Sequence, residues 1–375
     1  MILTDIKLIN FRNYDNVKIK LSKGINIIYG DNAQGKTNLL ESIYVLALTK
    51  SHRTYIDNNL IKINCSKSKI EGTILKNNIR TKLSVEMTNN TKLLNVDLNK
   101  ESKISNYISN LNIIFFYPED LEIIKGNPII RRKYLNTQLS QLQPNYMILI
   151  NDFNKLIKIK NKFLKNRQSL SDVDKQYYVT LNNHIINKAV SIYLLRKKYI
   201  DKINSYAEKI FFDLTRINNF NIKYKPLINV QYDRNLIIEN LKQEMINKQN
   251  DEFRLKKSLV GPHLDDLEFY IGSKNLKLYG SQGQQRMAVL AMKLSEIEIF
   301  KEYKNSYPIL LLDDVFSELY NKKKNHLLKY INNNIQSIIT TTDLKNINKK
   351  ILDNSKIFKI SNGNIIKEVE KNERK

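Results

Sequence analysis

Gly30-Asp31-Asn32-Ala33-Gln34-Gly35-Lys36-Thr37 is the stretch on which the reading of this chain turns. It has the form G-x-x-x-x-G-K-T. The apolar run Ile25 to Tyr29 precedes it, and Leu39, Leu40, Ile43, Leu46 and Ala47 follow at helical spacing. A strand, a glycine-bounded turn and a helix are the context that a phosphate-cradling loop requires. The turn aims N–H groups inward, and the helix start adds partial positive charge. Lys36 is then placed to reach β- and γ-phosphates, and Thr37 to ligate Mg2+. Only 10 glycines occur in 375 residues, so two in one octapeptide point to a backbone need.

A second element lies near the other end. Pro308 and the apolar run Ile309 to Leu312 close on Asp313 and Asp314. A short apolar strand ending in paired acids suits the other half of a nucleotide site. Asp313 would hold Mg2+, directly or through water, and Asp314 would orient or activate the attacking water. Most of the chain separates Lys36 from Asp313. A site built from both motifs is therefore assembled from the two chain ends.

The intervening sequence changes character. From about Asn145 to Ala207, Pro and Gly are absent and apolar residues recur at helical spacing, broken by polar Gln168 to Asp174. This predicts a helical arm that leaves and returns. Residues 60–116 read as strands with a hairpin at Asn89-Asn90, and Ser337 to Thr340 as a further strand. The expected fold is α/β: a head lobe over 1–130, a helical insert over 131–255 and a second head lobe over 256–375.

Composition narrows the function classes. Lys and Arg number 62 against 37 Asp and Glu, a formal net charge of +25. Polyanionic partners are favoured, although Lys, Asn and Ile are abundant throughout. The clusters Arg131-Arg132-Lys133, Arg196-Lys197-Lys198, Lys256-Lys257 and Lys322-Lys323-Lys324 read first as solvated faces. Cys65 stands alone, and the four histidines are too scattered for a structural metal site. No secretory leader and no membrane-length apolar run are evident, which predicts a cytoplasmic protein without a membrane partner.

A third motif completes the set. Ser281-Gln282-Gly283-Gln284 resembles the signature of ABC-type ATPases, Leu-Ser-Gly-Gly-Gln, with Gln282 in place of a glycine. That resemblance implies that the motif serves the nucleotide of a partner copy. Further motifs narrow the family: Asn10 to Tyr14, Thr49 to Thr54, Tyr117 to Leu121, Gly261 to Asp266, Ser281 to Arg286 and Leu312 to Leu319. Over about residues 1–345 the chain resembles the RecF family of ABC/SMC-type ATPases.

The resemblance implies ATP and Mg2+ as ligands and an ATP-dependent homodimer on double-stranded DNA at single-strand gap junctions. It also implies RecR and RecO as partners, and a weak, DNA-stimulated ATPase used as a switch. Arg12 and Arg53 become candidate phosphate contacts, and Thr342 a candidate switch residue. Glu119 and Asp120 are candidates for the metal or water. His263 reads as a packed residue. Leu264, Asn136 and Tyr320 depart from the family pattern, which usually has Arg, Asp and Asp there. Two rival functions predict different behaviour. An ABC transporter subunit would need a membrane partner, and an architectural DNA binder would ignore nucleotide.

Overall fold

Alternating burial builds the first sheet. Along strand β1, Ile2–Phe11, the side chains of Leu3, Ile6, Leu8 and Phe11 turn inward. The computed structural model describes residues 1–166, 171–315, 327, 334–345 and 347–370. Tyr320 and Lys322 to Lys324 lie outside them. The chain divides into two compact units, Met1–Asp120 with Lys293–Lys375, and Leu121–Met292.

The first unit holds two sheets. β1, β2 (Tyr14–Lys20), β4 (Lys67–Lys76), β5 (Ile79–Thr88), β6 (Lys92–Val96) and β7 (Asn99–Lys100) make an antiparallel sheet, in the order β2-β1-β4-β5-β6-β7. The Asn89-Asn90 hairpin joins β5 to β6, as the sequence predicts. The other sheet has the order β15-β14-β3-β13-β12-β8. Its members are β3 (Ile25–Tyr29), β8 (Ile113–Phe116), β12 (Ile309–Leu312), β13 (Ser337–Thr341), β14 (Ser355–Ser361) and β15 (Asn364–Glu370).

All pairings in that sheet are parallel except β14 with β15. β12 and its neighbour β8 are apolar and buried along their whole length, as in strands covered on both faces. Consequently β3, β13, β12 and β8 all end on one edge, where open α/β sheets place their ligands. Helix α1, Lys36–Leu48, starts at that edge.

The second unit is mostly helical. α5 (Pro144–Asn166) and α6 (Asp172–Thr215) run antiparallel. Tyr146 meets Arg196, Asp152 pairs with Lys188, and Phe163 faces Tyr178. The outgoing and returning arm predicted from periodicity is present. Ser171 opens α6 with a reciprocal capping box to Asp174. A three-stranded sheet of β9 (Phe220–Lys225), β10 (Asp266–Ile271) and β11 (Lys274–Asn275) completes the unit. Residues 256–292, expected in the C-terminal lobe, fall in this unit because β10 pairs with β9.

Two of the basic clusters are corrected here. Arg131, on α4 (Pro128–Leu142), is buried and forks onto Asp266 at 2.5 and 3.0 Å. Arg132 donates to the Asp265 carbonyl at 2.8 Å. Arg196 is fully buried, 2.7 Å from Asp265 and 2.5 Å from the Pro262 carbonyl. The Arg131 and Arg196 guanidiniums carry internal ion pairs rather than a surface. Their acidic partners stand 135 and 69 positions away, beyond local reading.

Asn136, one of the departures, accepts from Tyr146 at 2.8 Å and from Arg196 at 3.0 Å. An uncharged acceptor at that site leaves Asp265 as the counter-ion of Arg196. Burial pushes the Asp265 carboxyl up to about 6, against the pull of Arg196 and Tyr224. Arg196→Met should therefore cost about 3–5 kcal/mol by stranding that carboxylate. The double variant Arg196→Met/Asp265→Leu should recover more than half of it. Urea denaturation of the three proteins measures both.

Candidate nucleotide site

The loop after β3 is held from two sides. Gly35, with φ 112°, caps α1, and its carbonyl accepts from the buried Tyr14 hydroxyl at 2.9 Å. A Cβ there would stand 2.7 Å from Asn13 Nδ2. A Cβ at Gly30 would lie 2.3 Å from the Ile360 carbonyl oxygen. The Gln34 carbonyl accepts from Gly363 N at 3.0 Å and from Asn13 Nδ2 at 3.3 Å, and its side chain accepts from Asn362 N at 2.7 Å. The turns β1–β2 and β14–β15 therefore brace the loop. Sequence reading did not single out Asn362 or Gly363, since only the sheet order brings them there.

Asp31, Asn32 and Ala33 are exposed at the loop tip, and Ala33 adopts φ 66°. Lys36 Nζ folds back to donate to the carbonyls of Gly30 at 2.6 Å and Asp31 at 2.7 Å. Its ammonium thus occupies the mouth of the loop, where a phosphate would offer a better acceptor.

Asp313 meets the loop. Thr37 donates to Asp313 Oδ1 at 3.1 Å, across 276 positions. Thr340, at the end of β13, donates to the same oxygen at 2.7 Å, and Asp314 N donates back to Thr340 Oγ1 at 2.9 Å. Asp314 itself adopts φ 50°. Thr340 is fully buried, whereas Thr342 is exposed and has no hydrogen bond to either acid. Of these two, the hydroxyl that reaches the Asp313 carboxylate is that of Thr340. Strand pairing fixes it, because Leu312 lies opposite Ile339.

Burial pushes the Asp313 carboxyl above the usual carboxylate range. Asp314 and Glu119 add to the rise, against hydrogen bonds from Thr340 and Thr37. Burial also lowers the Lys36 ammonium, with Asp314, Asp313 and Asp31 opposing. One hydroxyl and one buried carboxylate, beside further acids, suit a hard divalent cation that keeps several waters and phosphate oxygens. Thr37 and Asp313 are the residues that would hold Mg2+.

The remaining candidates are distributed as follows. Arg12 forks onto Glu41 at 2.8 and 2.9 Å and donates to the Asn59 carbonyl at 2.7 Å. Its guanidinium is thus engaged by Glu41 of α1 and by the Asn59 carbonyl. Arg53 lies 3.7 Å from Glu41 and 3.1 Å from Asn38 Oδ1, with a half-exposed side chain. Asp120 is buried in an ion pair with Lys293 and accepts from Tyr117 N at 2.9 Å. Glu119 stays exposed, close enough to act on Asp313. His263 packs against Phe153, and burial takes its imidazole down to about 4.

In the second unit, Ser281 precedes α10, Gln282–Lys304. Ser281 Oγ accepts from Gln284 N at 3.2 Å, and Gln284 Oε1 accepts from Ser281 N at 2.9 Å, the reciprocal bonds of a capping box. Ser281, Gln282 and Gly283 are exposed. A Cβ at Gly283 would meet nothing closer than Ser281 Oγ at 4.0 Å. Its bare backbone has no internal steric reason.

The family model for the RecF/RecN/SMC N terminal domain matches residues 2–366. The DNA replication and repair protein RecF of Lysinibacillus sphaericus (strain C3-41) is 38% identical over 370 residues, 98% of this chain and 100% of that protein. That of Pediococcus pentosaceus is 36% identical over 366 residues, 97% of this chain and 98% of that protein. This chain belongs to the RecF family.

A solved structure of the recombination mediator protein RecF with ATP, in the RecFOR pathway, superposes on this RecF-family chain with a TM-score of 0.89. It is 30% identical, over 98% of this chain and 97% of that one. A Smc head bound to the winged-helix domain of ScpA gives 0.53 at 15% identity, which marks a shared head fold. The α/β class expected from sequence, an ABC/SMC-type ATPase head, is the observed one. Its place among DNA replication and repair proteins follows from the full-length RecF relatives. Among the described residues, no helix is long and apolar enough to cross a membrane.

Folding raises the Asp313 pKa, so this group's ionisation costs stability as pH climbs from the unfolded value through the folded one. Asp313→Asn should therefore raise the melting temperature of the nucleotide-free protein and flatten its slope over that pH range. The same change should remove Mg2+-dependent nucleotide binding. Thermal melts at pH 4 to 7 and a Mg2+ titration check the two halves.

Proposed function

We propose that this protein is an ATP-gated DNA clamp of recombinational repair, acting in the cytoplasm. The observation that carries the reading is the convergence of Lys36, Thr37, Asp313 and Thr340 at one sheet edge. The exposed Ser281–Gly283 turn supports it as a surface offered outward.

In this reading, loop N–H groups from Gly30 to Thr37 cradle the β- and γ-phosphates, and Lys36 leaves its carbonyl partners to pair with them. Thr37 and Asp313 hold Mg2+, which when bound neutralises charge developing on the phosphates. Thr340 fixes one Asp313 oxygen and so orients the carboxylate. Asp314 accepts a proton from the attacking water. Ser281 Oγ and the Gly283 N–H of a second copy close on the γ-phosphate. Two copies thus close over duplex DNA beside a single-strand gap, and slow hydrolysis reopens them. RecR and RecO join this complex, by likeness to the RecFOR pathway of the related structure.

Lys36→Ala should abolish ATP binding and dimer closure together. Ser281→Arg should preserve ATP binding within about twofold and block only closure. Asp314→Asn should trap the closed form on duplex DNA. A fluorescent ATP analogue and gel filtration with a short duplex read all three. Equal loss of ATP affinity in Ser281→Arg would reject service in trans.

A further inference from the structure

The second unit contains a cavity of about 510 Å3 between α6, β9 and the segment after β9. None of the residues at the nucleotide motifs lines it. Ile200, Ile222 and Ile228 make an apolar floor, and Lys197, Lys223 and Lys225 stand around it against one acid, Asp201. Asp201 is already engaged by Lys197 at 3.0 Å and by Tyr232 Oη at 2.6 Å. Lys223 lies over the Tyr270 ring at 4.3 Å, and Lys225 is 3.8 Å from Glu268 with half its side chain exposed. The acids near the site thus leave cationic charge uncompensated.

The backbone adds direction. β9 is an edge strand, paired on one side with β10. On its other side, Ile222 gives its N–H to Asn204 Oδ1 at 2.9 Å, and its carbonyl accepts from Asn204 Nδ2 at 2.8 Å. The Asn204 amide stands in for a neighbouring strand at that one residue. Outward-facing groups alternate along an antiparallel strand. The N–H and carbonyl of Tyr224 therefore face the same way as those of Ile222, and no hydrogen bond engages them among the described residues. Pro226 then ends the pairing capacity of the strand. Lysine and proline alone would only blunt an edge. A cavity of this size, polar at its rim and floored by isoleucines, beside the unpaired backbone goes beyond blunting, since it falls within the range of ligand sites.

We propose that this cavity docks an extended acidic peptide segment of a partner protein. The segment adds a short strand beyond Asn204, exchanging backbone hydrogen bonds with Tyr224. Its apolar side chains enter over Ile222 and Ile228, and its carboxylates meet Lys223 and Lys225. Main-chain bonds supply the docking and alternate side chains the selectivity. The proposal does not depend on the nucleotide reading.

The probe is a set of labelled nine-residue peptides with Asp or Glu alternating with Val, read by fluorescence anisotropy on the full chain. The expected result is saturable binding by at least one peptide. Lys223→Glu/Lys225→Glu should weaken it at least tenfold, and so should N-methylation of the peptide backbone. Exchange of the Tyr224 amide should slow on binding, and Lys36→Ala should leave binding unchanged. The double variant alters exposed side chains, and its melting curve reports that it is folded.

Three outcomes would overturn the proposal. One is that no peptide in the set binds. Another is binding indifferent to N-methylation, which would reduce it to charge. The third is displacement by a 20-base-pair duplex together with lost duplex affinity in the double variant, which would assign these lysines to nucleic acid.

Discussion

One carboxylate organises the first unit. Asp313 ends a fully apolar strand and is itself almost wholly buried. Two hydroxyls hold it, Thr37 from the start of α1 and Thr340 from the end of β13. Neither donor supplies a full positive charge, and Lys36 is turned to the loop carbonyls. The site is thus short of cationic charge at its centre. Burial raises the carboxyl of Asp313 and lowers the ammonium of Lys36, so both groups gain from a ligand bringing a divalent cation and phosphate. In the proposed reading, that tension is what would make the two ends of the chain a binding site.

The second unit handles buried charge differently. Arg196 with Asp265, and Lys160 with Glu252, are each buried on both sides of the pair. Further hydrogen bonds support these pairs, as Tyr178 and the Leu259 N–H do for Glu252 and Tyr224 does for Asp265 Oδ2. Such pairs cost little only when every neighbour is in place. They tie α5, α6 and α8 (Gln249–Leu255) to the segment around Gly261. Here each charge meets an opposite charge, whereas Asp313 meets only hydroxyls, which in the proposed reading leaves room for a cation.

The legibility of this chain in its sequence follows from range. The strand–loop–helix at Gly30, the Asp313-Asp314 strand and the helical arm rest on local pattern, and all are present. The interactions that sequence missed are long-range pairings. Thr340 reaches Asp313 through the register of two parallel strands, and Asn362 and Gly363 reach Gln34 because β14 pairs with β3. Arg131 and Arg196 read as surface charge since their acidic partners are remote in sequence. Arg12 looked suited to phosphate for its rigid fork, and the fork is real, but it grips Glu41.

The exposed turn at Ser281 connects this geometry to function. Its own helix uses Ser281 as a cap, yet Gly283 presents bare backbone with no internal cause. In the proposed reading, a second copy approaching from outside would supply the cause, with ATP as the bridge between them. The most direct measurement is the solution mass of the wild-type protein by light scattering, in Mg-ATP and then in Mg-ADP. The account predicts a doubling of mass in ATP alone, and an equal mass in both nucleotides would contradict it.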